Sequence, residues 1–390
     1  MVTPDKIIYL DNNATTQLDP AVLEEMRPFL EKYYGNPSSG YRFGAQVREA
    51  IDVARERVAA LLGCAAGEIV FTGCGTEASN AAIHSALQLD PTRRHVVTTA
   101  VEHSATLRCC EQLATRGDAT VTFVGVDRDG NLNLDELENA ITAETTIVST
   151  MWANNETGVL FPVEKIANIA RRRRVLFHID AVQAAGKVPI RLDSLGASFC
   201  SFSAHKLHGP KGVGALYVNR RTAFRPLLIG GGQEEGRRAG TENVASIVGF
   251  GKAGERAAEE LPNIETHVRE MRDRFEAALS TGLADVFVNG GGAPRLPNTA
   301  SVSFAGVESD AALILLDQQR LCCSAGSACR TGSVEHSHVL KAMHLSEERL
   351  RGSLRFSFGR FNTADDSERA AQIVTRVVTK LRAMSGAAAA

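Results

Sequence analysis

Charge of one sign is the first thing this 390-residue chain lacks: 43 Lys and Arg stand against 45 Asp and Glu, a formal net charge of −2. With no electrostatic excess there is no bulk attraction for nucleic acid or an anionic membrane, which excludes non-specific binding of either while leaving local patches open. Long apolar runs are missing as well. No window approaches 18 uninterrupted apolar residues, so no membrane span is expected. The first eleven residues carry one Lys and then reach Asp11 and Asn12, without the charged-then-apolar order of a secretory signal. Aromatics are scarce, at 6% with a single Trp, and there are eight cysteines: Cys64, Cys74, Cys109, Cys110, Cys200, Cys322, Cys323 and Cys329. So few thiols without a leader read as free thiols of a reducing, cytoplasmic compartment. No repeat of about 20–50 residues is visible. What is present is globular material, 44% hydrophobic and 23% charged, at a length that suggests two or three domains.

Periodicity supplies the architecture. Val47, Ile51, Ala54, Val58 and Leu61 recur at helical spacing, with Gly63 where a C-terminal cap belongs. Strand-like apolar runs then follow at Ile69–Phe71, Val96–Thr99, Val121–Val124, Thr146–Met151, Leu176–Asp180, Phe199–Phe202 and Gly214–Val218. Helical stretches such as Leu134–Ile141 and Val163–Arg173 lie between most of them. Buried-type strands alternating with helices predict an α/β fold with a mostly parallel sheet. After the Gly- and Arg-rich stretch Gly230–Gly240 the texture changes to a helix through Val268, Met271, Phe275 and Leu279, strands near Val286–Val288 and Thr299–Phe304, and a last helix opened by a capping box at Thr363–Asp366. That reads as a smaller α+β domain, joined by the first few residues. The expected division is 16–251 for the large domain and 1–15 with 252–390 for the small one.

Gly73-x-Gly75-x-x-Ala78 follows a strand and opens a helix, so it can cradle a phosphate with glycine backbone and oriented helix N–H groups. A dinucleotide site would need an acid about 20 residues further on; positions 93 and 94 are Arg and the next acid beyond them is Glu102. Further along, Phe177–Gln183 ends a strand on Asp180, and Ser203-Ala-His-Lys206 again lies just past a strand. A phosphate cradle, a carboxylate and a lysine at strand ends are the parts a pyridoxal 5′-phosphate (PLP) site requires: the lysine condenses with the aldehyde and the carboxylate pairs with the ring nitrogen.

These motifs, with Leu10–Thr16, Gly35–Ser39, Asn154–Gly158, Gly209–Gly212, Gly230–Glu234, Arg237–Thr241, Arg295–Thr299, Gly326–Cys329 and Ser353–Phe356, resemble those of cysteine desulfurases on the class V aminotransferase fold. Met151–Gly158 and Gly240–Val244 are most similar to the nitrogen-fixation (NifS-type) branch. The resemblance implies the PLP-dependent transferase fold type I, a homodimer, L-cysteine as substrate, and an iron–sulfur scaffold protein as sulfur acceptor, within nitrogenase maturation. It implies that Lys206 holds the cofactor and shuttles protons, that His103 stacks on the ring, and that Asp180 pairs with its nitrogen. Gln183 and Asn155 would sit near the ring hydroxyl. Gly75, Thr76, Ser203 and His205 would hold the phosphate, with Thr241 arriving from the partner subunit. Arg355 would bind the substrate carboxylate, Asn155 beside it, a task suited to a planar fork of donors.

Cys329 lies in Ser324–Ser333, a run of small residues that predicts a mobile loop (about 322–334) rather than a core strand. A thiol there suits a nucleophile that visits a bound substrate and then a partner; the resemblance makes it the persulfide carrier, and at most a transient iron–sulfur ligand shared with the scaffold. Cys322 and Cys323 read as buried, inert thiols, and the C-C-x5-C spacing lacks the pattern of a zinc site. His178 reads as structural, and Arg171–Arg174 as a solvated helix end. The sequence departs from the family pattern at Tyr41, Ala204 and Cys322-Cys323. The competing readings are a related PLP enzyme, such as a selenocysteine lyase or small-substrate transaminase, and a non-catalytic sulfur-carrier subunit.

Overall fold

A first short strand, β1 (Ile8–Tyr9), precedes seven apolar runs that assemble into one sheet: β2 (Ile69–Thr72), β3 (His95–Thr99), β4 (Thr120–Val124), β5 (Thr145–Met151), β6 (Leu176–Asp180), β7 (Phe199–Ser203) and β8 (Gly214–Val218). Their order is β2-β8-β7-β6-β5-β3-β4. Only β8 runs against its neighbours; the remaining pairs are parallel. Every residue of β3, β5, β7 and β8 is buried, which is why these segments lack polar alternation: helices cover both faces. The computed structural model describes residues 7–325 and 336–386.

On one face lie helices α1 (Pro20–Glu31) and α2 (Arg42–Leu62) with Val163–Arg173 and Val244–Asn263; on the other lie α3 (Gly75–Leu89) and α4 (Ser104–Arg116). Helix α2 buries Val47, Ile51, Ala54, Val58 and Leu62 and ends at Gly63, whose φ of 60° is the left-handed cap conformation. Ala78, Ala81, Ala82 and Ala86 form the buried side of α3, and such small side chains let its backbone lie close to the sheet. Among the described residues no helix is long and apolar enough to cross a membrane.

A second core gathers Phe275, Leu279, Val302, Phe304, Leu354, Phe356 and Val374 with Ile8 and Leu10. It is built on β9 (Val286–Val288), β10 (Thr299–Phe304) and β12 (Ser353–Ser357), an antiparallel sheet with β10 in the middle. Here β1 pairs in parallel with β11 (Leu321–Cys322), tying the chain start to the smaller unit. The division expected after residue 251 falls inside the Val244–Asn263 helix, whose Ala253 and Ala257 still pack in the first core; after Ile8 and Leu10, the second core resumes at Ile264.

Candidate active site

The carboxyl ends of β2, β5, β6 and β7 face one cavity of about 390 Å³, the place where an α/β sheet presents loops and helix N-termini to a ligand. It brings together Gly75, Thr76, His103, Asn155, Asp180, Gln183, Ser203, His205, Lys206 and Arg355. Lys206 follows β7 in a single 3₁₀ turn, Ala204–Lys206, and its Nζ donates to the main-chain oxygens of Asn13 at 2.6 Å and Ala14 at 2.8 Å. The segment after β1 therefore crosses the site and holds the lysine.

Asp180 ends β6 and is buried; burial pushes its carboxyl up, opposed first by His103, then by the Val182 N–H and Lys206. That N–H donates to Oδ1 at 3.0 Å, leaving Oδ2 for the cavity. His103 caps α4: the Ala105 N–H donates to its Nδ1 at 3.1 Å, so the neutral ring carries its hydrogen on Nε2. Burial pushes this imidazole down, while Asp180 pulls it up. Gly75 opens α3, and a Cβ there would meet Val182 Cγ2 at 2.8 Å, so only glycine brings this backbone so close. His205 contacts Thr15 Oγ1 through Nδ1 at 3.2 Å and is pushed down to about 4 by burial, then by Lys206.

Arg355, in β12, is buried at 3% exposure. Its Nη2 donates to Asp11 Oδ1 at 2.7 Å and its Nη1 to the Asn155 main-chain oxygen at 3.0 Å. Its Nε has no partner among the described residues. A buried guanidinium with a spare N–H is suited to a carboxylate.

One sequence-derived residue among those described is not in this cavity. Thr241 lines a separate one of about 220 Å³ with Gly73 and Arg238, where Arg238 Nε donates to Glu77 Oε1 at 2.9 Å. Cys329 lies outside the described residues. Cys322 and Cys323 are half-buried, and burial, ahead of nearby acids, pushes both thiols up, so neither is a ready thiolate. His178 bridges Ser149 Oγ and Ser201 Oγ at 2.8 Å each and burial pushes it down to about 3, a neutral link inside the sheet.

Sequence reasoning missed several neighbours. Asn13 and Glu156 lie within quoted motifs without having been given a role. Glu156 is buried, accepts from Ser337 Oγ and is pushed up by burial. Glu102, beneath the cavity, accepts from Thr99 Oγ1 at 2.6 Å and the Met151 N–H at 3.0 Å through Oε1; burial pushes it up to about 8. His338, which lines the cavity, donates from Nε2 to the Glu102 main-chain oxygen at 2.9 Å, since a carbonyl only accepts. No pattern around His338 signalled it.

The donor set fits PLP. A lysine, a buried carboxylate, a stackable imidazole and the N-terminus of α3 share one cavity, and the glycine at position 75 lets that helix start lie close against the Val182 turn beside it.

Comparison with known proteins agrees. The family model described as Aminotransferase class-V matches residues 8–369. The chain is 51% identical over 382 residues to a cysteine desulfurase of Trichormus azollae, covering 97% of this chain and 94% of that one. It is 47% identical over 379 residues to the cysteine desulfurase NifS of Azotobacter vinelandii, covering 97% and 94%. Among solved structures, a NifS-like protein superposes with a TM-score of 0.89 at 36% identity over 96% of this chain and all of that one (100%). The structure of SspA in complex with cysteine gives 0.79 at 33% identity, over 91% and 99%.

Proposed function

The chain belongs to the aminotransferase class-V family and is a PLP-dependent cysteine desulfurase, and from its cavity we infer which of its residues perform each task. The observation that carries this reading is the convergence of Lys206, Asp180, His103 and the α3 N-terminus on one cavity that also holds a buried arginine with a spare donor. When bound, the cofactor supplies an electron sink for the pair released as the substrate loses its α-proton.

Lys206 would hold the cofactor and would take the substrate's α-proton at Nζ; the Asn13 and Ala14 carbonyls orient that nitrogen and accept from it. Asp180 would face the ring nitrogen with the oxygen that the Val182 N–H leaves open, and its burial would strengthen that bond. His103 donates from Nε2. Arg355 receives the substrate carboxylate, held in place by Asp11 and Asn155. Cys329, as thiolate, attacks the substrate sulfur; the carbon–sulfur bond breaks with its electron pair staying on the β-carbon, which takes up a proton, and return of the α-proton from Lys206 completes alanine. The enzyme is left with a Cys329 persulfide.

The proposed assembly is a cytoplasmic homodimer in which Thr241 of each subunit serves the other's phosphate site, with the sulfur passed to an iron–sulfur scaffold protein during nitrogenase maturation. The separate cavity around Thr241 and exposed apolar side chains such as Ile229 and Tyr34 support a subunit contact. The test is L-cysteine turnover with a reductant, assaying alanine and sulfide together: equal yields are expected. Cys329→Ala should keep the visible band of bound cofactor and lose sulfide release. A Cys329→Ala enzyme that desulfurates at the parent rate would sink the nucleophile assignment.

A further inference from the structure

Lys187 stands outside the chemistry described above. It is buried at 6% exposure, four residues after Gln183. Its Nζ donates to Gln183 Oε1 at 2.7 Å and to Asn13 Oδ1 at 3.2 Å. Burial holds its ammonium well below the usual lysine range, with the like charges of Lys206 and Arg355 acting in the same direction. His205 and His208 also feel its charge. With Lys206 it lines a cavity of about 30 Å³, room for one or two waters, to which Glu260 and Arg360 contribute. A buried lysine among like charges is costly, and a methionine would fill the space more cheaply, so stability gives no reason for a lysine here.

Its partners give one. Gln183 Nε2 donates to the main-chain oxygen of Asn13 at 3.0 Å, and that oxygen can only accept. On the other side the Lys187 Nζ donates to the carboxamide oxygen. Turning the carboxamide over would set oxygen against oxygen and nitrogen against nitrogen. One Nε2 hydrogen is spent on Asn13, and the second is left for the cavity that Gln183 lines.

We propose that Lys187 is a positioning residue for the cofactor: by its bonds to Gln183 Oε1 and Asn13 Oδ1 it locks the Gln183 carboxamide with an N–H turned to the cavity, where an anionic oxygen of the bound ring accepts it. The same Asn13 carries the carbonyl that binds Lys206, so one asparagine couples both lysines. The proposal rests on the reading that Gln183 faces bound PLP.

The experiment is a double-mutant cycle on the full-length chain, with PLP affinity measured by titration of the visible band for the parent, Gln183→Met, Lys187→Met and the double variant. Each single change should raise the Kd for PLP about tenfold, the scale of one hydrogen bond to a charged acceptor. The double variant should bind no worse than Gln183→Met alone, because Lys187 acts through Gln183. If Lys187→Met weakens binding by the same factor in both backgrounds, or in neither, the proposal falls while the placement of Gln183 stands. If Gln183→Met leaves the Kd unchanged, both fall. Loss of the band in Lys206→Ala checks PLP attachment independently of either. Should Lys187→Met fail to fold, Lys187→Leu, which also lacks a donor, carries the same cycle with the same outcomes.

Discussion

Glu102 shows what single residues hide from sequence. It sits one position before a residue singled out for its chemistry, yet nothing in Val101-Glu-His-Ser104 says that it is fully buried with no partner for Oε2 among the described residues. Burial first, and Asp180 further off, push it up to about 8 from the ordinary 4.5. A carboxyl whose folded pKa is raised binds its proton more tightly in the native state, so it favours folding below about 4.5 and that contribution is lost as pH climbs toward 8. The slope is roughly 1.4 kcal/mol per pH unit at most, within that window. Glu102→Gln mimics the protonated acid. Urea unfolding at several pH values from 5 to 8 should show its stability advantage over the parent growing with pH; a constant difference would mean that Glu102 is ionised in the fold. Lys206 and Asp180 were legible for the opposite reason: strand-end positions and a tight motif announced them locally.

At the scale of elements, periodicity located the seven strands of the main sheet and the helices that flank it, because two-sided burial writes continuous apolar runs. Periodicity did not show how closely they pack. Helix α3 begins at Gly75, where a Cβ would press on Val182 Cγ2 at 2.8 Å and meet Ser203 Cβ at 3.4 Å. Gly75→Ala should push α3 away from the Asp180-bearing turn and weaken PLP binding about tenfold or more, while the cofactor-free chain loses on the order of 1 kcal/mol. Equal PLP affinity in the two proteins would show that the helix start does not hold the phosphate. The capping box read at Thr363–Asp366 is present in both halves: Asp366 N–H donates to Thr363 Oγ1 at 3.1 Å and Thr363 N–H to Asp366 Oδ2 at 3.0 Å. Thr363→Ala should cost about 1 kcal/mol of stability and leave turnover of folded enzyme unchanged, as measured by denaturant titration beside the alanine assay.

For the whole molecule, what the sequence left unread is long-range. Asn13 and Lys206 lie 193 residues apart and meet at 2.6 Å; Arg355 and Asp11 lie 344 apart and meet at 2.7 Å. No local pattern reports such pairs, although each partner stood in a motif. Through them the chain start, anchored in the second core by Ile8 and Leu10, becomes a wall of the first domain's cavity. The same reasoning separates Thr241 from its own chain's cavity. The Arg238–Glu77 pair clamps the 230–241 segment against the start of α3, and Thr241 faces a different hollow from Lys206. In the proposed dimer that hollow is where subunits exchange residues, so a complete phosphate site takes Lys206 from one chain and Thr241 from the other. Lys206→Ala and Thr241→Val chains, each impaired as homodimers, should complement when co-expressed: the hybrid holds one site with native Lys206 and a native Thr241 across the interface. It should bind one PLP per two chains with parent affinity and desulfurate cysteine at about half the parent rate. Thr241 acting within its own chain would instead leave every hybrid site lacking one group or the other, and co-expression would restore nothing.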